Sequence, residues 1–575
     1  KADKYATESR LRGKTSEKAN KAPAKLIAGP ISTSGKLEEN LSLEGFVDSS
    51  YTSEGDFKKG QDKEKEASSH LGEDLGTVPP PLSTPPNLEV STAEQPFSTF
   101  SPRVSDVSFR LAESVIKQGQ WPAKSTIRSE EFVNAFDYRE SRHARGENLA
   151  FSMERATHPF IKDREILRFA LGAANTKEQN TTPLNLVIVL DNSISMKGVH
   201  SSGLVSKTLQ ELAKHLTGSD RVSLVTFARQ PKLRLDNLPG NELRASLDKI
   251  SKLLPEEGTN LEKALDLGFA AAHVKYFPKG SNRVLLLSDG AANLGKRVPR
   301  ALKAKVEKHR AHGIVLDCIG LGSTGYVDHM LDSISGDGRY DFLDDVSEAD
   351  DAFGRKLAGI LRPTLSEVKV QVEFNPDRVE LYRQVGFEKD QLRKQYFDEK
   401  SMGGAGIANG ESVNALYSIK LNPKGKGGLG AVRVRYKDLK TGDLEQREWK
   451  LAYDRKAPAF SHATASMRLA VHATTFAEWL ADSPHGAGFV IDRSIGELQA
   501  ISNGFPDKAS IGYWSPVNVK LYDDVPQNTS QYIHQTDNFT VKWIHGPAPV
   551  NYPSVSGLTR HNFSLDSVDR FINNE

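Results

Sequence analysis

Between residues 183 and 363, short apolar runs alternate with segments whose apolar residues recur every three or four positions. Residues 186–190 (LVIVL), 222–227 (VSLVTF), 283–287 (RVLLL) and 314–319 (IVLDCI) read as strands, with shorter ones at 232–235 and 340–343. Residues 204–216, 243–254, 261–276, 298–312 and 350–361 carry helical spacing; Leu209, Leu212 and Leu216 share one face, and Pro363 stops the last helix. Nearly continuous apolar strands separated by helices predict a doubly wound α/β domain with a mainly parallel sheet covered on both faces.

On either side the period falls to two. Residues 149–153 and 166–171 precede the α/β span, and 368–374, 379–381, 413–419, 432–436 and 449–453 follow it. This alternation predicts an antiparallel sheet with one buried face. Helical spacing returns at 107–115, 125–136, 461–480 and 494–502. A doubly wound domain can bring its two ends together and so tolerates insertion into a host. The flanks are therefore expected to pair as one β domain that carries the α/β domain as an insert. The resulting division is a tail at 1–95, helices then strands at 96–182, the α/β domain at 183–363, an antiparallel β domain at 364–455, a helical region at 456–510 and an irregular extension at 511–575.

The tail lacks apolar periodicity, is basic over its first thirty residues, and carries prolines at 79–81 and 85–86. Such a segment buries too little apolar surface to offset its ordering entropy. It reads as a plain linker, or as a tether to a membrane or cell surface. The chain opens on Lys1 rather than Met and reads as a processed or trimmed product, so a missing signal segment does not argue for the cytoplasm; the expected location is extracytoplasmic, periplasm or cell surface. Lys and Arg number 76 against 74 Asp and Glu, so no net basic charge points to a nucleic-acid partner. A single cysteine, Cys318, excludes an internal disulfide framework and any multi-cysteine metal site.

The candidate chemistry sits at strand ends. The first strand runs into Asp191, Ser193 and Ser195, a DxSxS pattern; the strand at 283–287 runs into Ser288-Asp289-Gly290; and Thr259 opens a helix between them. In open α/β sheets ligands bind outside the carboxyl ends of strands, where strand order reverses. If these strands are neighbours there, Asp191 and Asp289 meet. Hydroxyl and carboxylate oxygens without His or Cys suit a hard cation such as Mg²⁺ or Mn²⁺. Other patterns are weaker. Gly320, Gly322 and Gly325 form a GxGxxG too late in the domain for a dinucleotide site, and read as a tight turn. Residues 424–430 are glycine-rich and read as a hairpin. His309 and His312 share a helix face without an evident third ligand, and read as solvated.

DxSxS, a later Thr and a later Asp, in this order and on these elements, resemble the metal-ion-dependent adhesion site of von Willebrand factor type A (VWA) domains. The resemblance implies that Asp191, Ser193, Ser195, Thr259 and Asp289 hold one divalent ion, Mg²⁺ or else Mn²⁺ or Ca²⁺, directly or through water. Ile194 departs from the glycine that many members carry. Residues 98–101 (STFS), 130–138 (EEFVNAFDY), 370–376 (VQVEFNP) and 461–502 further resemble bacterial YfbK-like VWA proteins, so that the likeness spans about 97–508. The family's acidic stretch after the STFS-like motif is reduced to Asp106, which leaves the purpose of the following helix open. The implied function is a non-catalytic, metal-dependent binding module of the bacterial envelope that coordinates an acidic residue of a protein ligand. The alternatives are a metal-independent scaffold subunit of an envelope assembly, and a metal-dependent hydrolase, for which no nucleophile or general-base motif is found.

Overall fold

The computed structural model describes residues 84–498, with breaks of which the longest are 139–147 and 175–181, and two later strands at Ser530–Thr536 and Phe539–His545. Most of the tail, most of the helix expected at 494–502, Gly325 and most of 511–575 lie outside the described residues.

The α/β insert is built on a six-stranded sheet. Its spatial order is Tyr340–Leu343, Ile314–Leu321, Ser281–Ser288, Leu184–Asp191, Arg221–Phe227 and Lys232–Pro239. All neighbours are parallel except the last pair, which is antiparallel. Side chains alternate across a strand, so the apolar run of the central strand serves two cores. Leu184, Leu186, Ile188 and Leu190 pack with helices Leu204–Lys214, Leu243–Ile250 and Asp351–Leu361. Val187 and Val189 pack with helices Leu261–Val274, Pro299–Ala311 and Asp328–Ser335. The helix after Leu184–Asp191 thus covers one face and the helix after Ser281–Ser288 the other. The crevice between those two strands is the switch point of the sheet.

The host is a sandwich. One sheet orders Val90–Ser91, Val379–Val385, Ser412–Leu421, Glu165–Ala173 and Leu149–Thr157; the other orders Gln391–Leu392, Phe97–Phe100, Leu365–Phe374, Gly430–Asp438 and Leu444–Leu451. Glu165–Ala173, before the insert, pairs with Ser412–Leu421, after it, from Glu165↔Ile419 to Gly172↔Ser412. The flanks therefore form one β unit, as the period-two pattern predicts. The chain leaves the sandwich after Ala173 and re-enters it at Leu365 in the opposite sheet. Leu167, Phe169, Leu171, Val413, Ala415 and Tyr417 face inward against Val370, Val372, Val432 and Val434. The outer face of the first sheet, through Ile166 and Leu416, packs under helix Ala465–Leu480 with Met467, Phe476 and Leu480.

Two expectations are corrected. The tail ends before residue 95, because Val90–Ser91 pairs with Leu381 and Tyr382, and the Thr92 hydroxyl donates to the Val379 carbonyl at 2.5 Å. Residues 424–430 are not a hairpin, since the strands they join lie in different sheets. They form a corner that lies beside the second crossing at 375–378: Asn375 Nδ2 donates to the carbonyls of Lys426 and Gly428 at 2.8 and 2.9 Å. Gly430 is required there, because a Cβ would stand 1.9 Å from the Glu373 carbonyl oxygen.

Helix Val107–Lys117 joins insert to host. Val107 and Leu111 enter the α/β core, while Phe109, Ala112 and Ile116 enter the helical layer of the host. Asp106, at its start, receives Lys356 at 2.5 Å. Beside this helix runs a seam of buried charges. Arg128 donates to both carboxylate oxygens of Asp328, at 2.7 and 3.1 Å. Arg103 bridges Asp332 and Asp390 at 2.8 and 3.0 Å, and Lys389 reaches the other oxygen of Asp332 at 2.7 Å. Asp328 and Asp332 lie one turn apart on an insert helix; Arg103, Arg128 and Lys389 come from the host.

Two outcomes follow from the seam. Arg128→Ala strands the buried Asp328 carboxylate and is expected to lower stability by about 3–5 kcal/mol in urea titrations; a loss below about 1 kcal/mol would contradict this account of the seam. Glu130, also buried, has its carboxyl pushed up to about 8 by burial and then by Glu388. In the unfolded chain it ionises near 4.3, so between the two values the native state keeps a proton that the unfolded state has lost. The contribution of Glu130 to stability therefore falls as pH rises from about 4.3 to about 8. Glu130→Gln removes that slope, and its melting temperature relative to wild type should climb between pH 5 and pH 8 and level off above; parallel profiles would count against it.

Candidate metal centre

The parallel register Leu190↔Leu287 places Asp191 beside Ser288 and one residue short of Asp289. Both acids sit at the carboxyl ends of their strands, and both are buried, at 0% and 1% exposure. The Ser288 hydroxyl donates to Asp191 Oδ2 at 2.6 Å, and the Ser193 amide donates to Asp191 Oδ1 at 3.0 Å. The Ser193 and Ser195 hydroxyls lie 2.9 Å apart. Asp289 Oδ1 accepts from the Ala291 amide at 2.9 Å, whereas its Oδ2 is buried without a hydrogen-bond partner among the described residues. Burial, and then the neighbouring Asp289, push Asp191 up to about 7; burial also raises Asp289, with the Ala291 amide and Ser195 opposing.

Thr259 stands on the loop between. Its amide donates to Asn293 Oδ1 at 2.7 Å, and its carbonyl accepts from the amides of Asn293 and Leu294 at 3.1 Å each. Three residues earlier, the Glu256 amide donates to the Asn192 carbonyl at 2.8 Å. The loop is thus tied on one side to the DxSxS turn and on the other to the turn after Asp289. Asp191, Ser193, Ser195 and Asp289 form one connected set, and Thr259 is held against both turns through the backbone. Gly290 makes this possible. Its φ is +77°, and a Cβ there would lie 2.7 Å from the Val327 carbonyl oxygen, so only glycine fits.

Ser193 is buried, while Ile194 and Ser195 are exposed, Ile194 at 51%. The set therefore has a closed floor of carboxylates and a hydroxyl edge open to solvent. Chemically it offers oxygen donors only, which matches a hard divalent cation. The orphaned, buried Asp289 Oδ2 beside a second buried carboxylate is a lone pair awaiting a positive partner. Among the described residues no three His, Cys, Asp or Glu side chains form a metal-binding group, so hydroxyls must supply part of any shell here. Ser288 and Asn293 support the site and were not singled out from the sequence as doing so; their cue was adjacency to Asp289.

Family models match three stretches: one described as von Willebrand factor at 84–168, one as von Willebrand factor type A domain at 186–291, and one as uncharacterized protein YfbK, C-terminal, at 359–510. The chain is similar to uncharacterized protein YfbK of Escherichia coli (strain K12), with 30% identity over 342 residues, 57% of this chain and 59% of that protein. It is also similar to uncharacterized protein sll0103 of Synechocystis, with 28% identity over 287 residues, 48% of this chain and 67% of that one. Among solved structures, the von Willebrand factor type A protein from Catenulispora acidiphila covers 62% of this chain and 82% of its own, with 16% identity and a TM-score of 0.39. The chain is thus similar to YfbK over part of that protein's length, and all five candidate residues fall within the 186–291 match to the von Willebrand factor type A model.

Ser288→Ala removes a donor from a buried carboxylate and from the Gly290 amide its acceptor. It should destabilise the protein by about 1–3 kcal/mol in chemical denaturation; an unchanged midpoint would show that this bond does not hold Asp191.

Proposed function

We propose that this YfbK-like chain is a protein-interaction module of the cell envelope. Its VWA domain would hold one divalent cation, Mg²⁺ or Mn²⁺, on Asp191, Ser193, Ser195, Thr259 and Asp289. The observation that carries this reading is the pair of buried carboxylates, one with an oxygen that no described residue satisfies. When bound, the ion supplies a Lewis-acidic position that an acidic residue of a protein ligand can occupy. The chain's own part is to fix the donors. The Ser193 amide and the Ser288 hydroxyl orient Asp191, the Ala291 amide orients Asp289, and exposed Ser195 and Ile194 border the open side. A non-catalytic role fits these assignments, since each of these polar groups serves to hold another in place. Anchoring by the basic tail belongs to the same proposal.

A second reading, a scaffold that works without metal, draws on the buried seam at Arg128–Asp328 and Arg103–Asp332, which fastens the insert to its host by bonds that use none of the cation donors. Calorimetry separates the two. Mn²⁺ should bind wild type at one equivalent and should give no binding heat with Asp191→Asn or Asp289→Asn, whose circular dichroism should match wild type. Equal heats for wild type and variants would refute the metal assignment. Ligand capture from envelope extract that survives chelator would support the scaffold instead.

A further inference from the structure

A second cluster of donors lies at the far end of the VWA domain, and its chemistry differs from that of the oxygen set. His312 is exposed, as the helical spacing predicts, and His309 is half-buried; what the spacing does not announce is a third histidine beside them, His273. This residue comes from the adjacent helix Leu261–Val274. His273 Nε2 and His309 Nδ1 are 3.0 Å apart, and the His273 and His312 ring centroids are 5.9 Å apart. His309 is half-buried and lies flat on Phe269, with centroids 4.0 Å apart and planes inclined by 9°. Such a stack fixes the ring plane. His312 is exposed, and its Nδ1 sits 2.8 Å from the Lys308 carbonyl oxygen. A carbonyl can only accept, so Nδ1 carries the proton and Nε2 presents its lone pair. Backbone carbonyls set the tautomer of metal-bound histidines in this same way.

We propose that His273, His309 and His312 bind a divalent transition-metal ion of the Zn²⁺ or Cu²⁺ class. Imidazole donors favour these ions over Mg²⁺ and Ca²⁺. His273 and His309 supply a neighbouring pair; the ion displaces the proton between them to solvent as the His273 ring draws back far enough for metal–nitrogen bonds of about 2.0–2.1 Å. His312, exposed at the surface, turns its Nε2 onto the ion as third ligand while its Nδ1 stays on the Lys308 carbonyl; the resting arrangement shows no three converged donors among the described residues. The site has a structural consequence. The two helices it would clip begin at the Asn260 cap and at Pro299, which border the loops of the oxygen site. Asn260 and His273 stand about 20 Å apart along the helix at 1.5 Å per residue. A cation here would cross-link the far ends of the helices that frame the crevice, without sharing a donor with it.

The test uses Zn²⁺ calorimetry on the full chain carrying Asp191→Asn and Asp289→Asn, which removes the oxygen site. One equivalent of Zn²⁺ should bind. Adding His273→Ala should weaken it by about 10–100-fold, as loss of a direct ligand does at least as much as loss of its supporting partner, and His312→Ala should weaken it as well. His309→Ala uncovers Phe269 and can fail to fold, so Cu²⁺ electron paramagnetic resonance on the histidine-intact protein is the second readout. It should show hyperfine coupling to three nitrogens, reduced in number by His273→Ala. Zn²⁺ affinity unchanged by His273→Ala and His312→Ala, or no Zn²⁺ binding to the parent, would overturn the assignment.

Discussion

The parallel pairing of Leu184–Asp191 with Ser281–Ser288 is the constraint on which the rest of the molecule depends. Both strands are buried along nearly their whole length, so their register is held by apolar contacts on two faces. That register delivers two carboxylates to one crevice. Left to themselves, two buried carboxylates oppose each other and oppose burial. They persist because the apolar strands beneath them cannot slip without exposing both cores, and because backbone amides and a serine hydroxyl satisfy three of the four carboxylate oxygens. The fourth is the feature from which a cation site is inferred.

The crevice is also connected to the host. The Val327 amide donates to the Asp289 carbonyl at 2.9 Å, and Val327 leads into helix Asp328–Ser335. That helix carries Asp328 and Asp332, the two acids clamped by Arg128, Arg103 and Lys389. One chain of bonds thus runs from the floor of the crevice to the sandwich. Such buried pairs contribute little net stability against an apolar alternative, but removing one partner is strongly destabilising. Their effect is to fix one orientation of insert on host.

Much of the α/β domain was legible because fully buried strands and amphipathic helices write different periods, as at 186–190 and 204–216. The pairing of the flanks was legible from their shared period of two. The juxtaposition of Asp191, Ser193, Ser195 and Asp289 was legible because they sit at or just past strand ends, where open sheets place ligands. Other features depend on contacts distant in sequence. Arg128 and Asp328 are 200 residues apart, and nothing local to either announces the other. Val90–Ser91 is too short to show a period. The glycines at 424–430 signal a close backbone approach but not which sheet follows. His273 was hidden for the same reason, since it lies 36 residues before His309 and meets it only through helix packing.

The central claim is that the crevice between these two strands is a cation site, and the most direct measurement is an anomalous difference map from crystals grown with Mn²⁺. A single peak is expected between the carboxylates of Asp191 and Asp289 and within reach of the Ser193 and Ser195 hydroxyls. A map with no peak in that crevice, while Mn²⁺ is bound at other carboxylates of the same crystal, would contradict the claim.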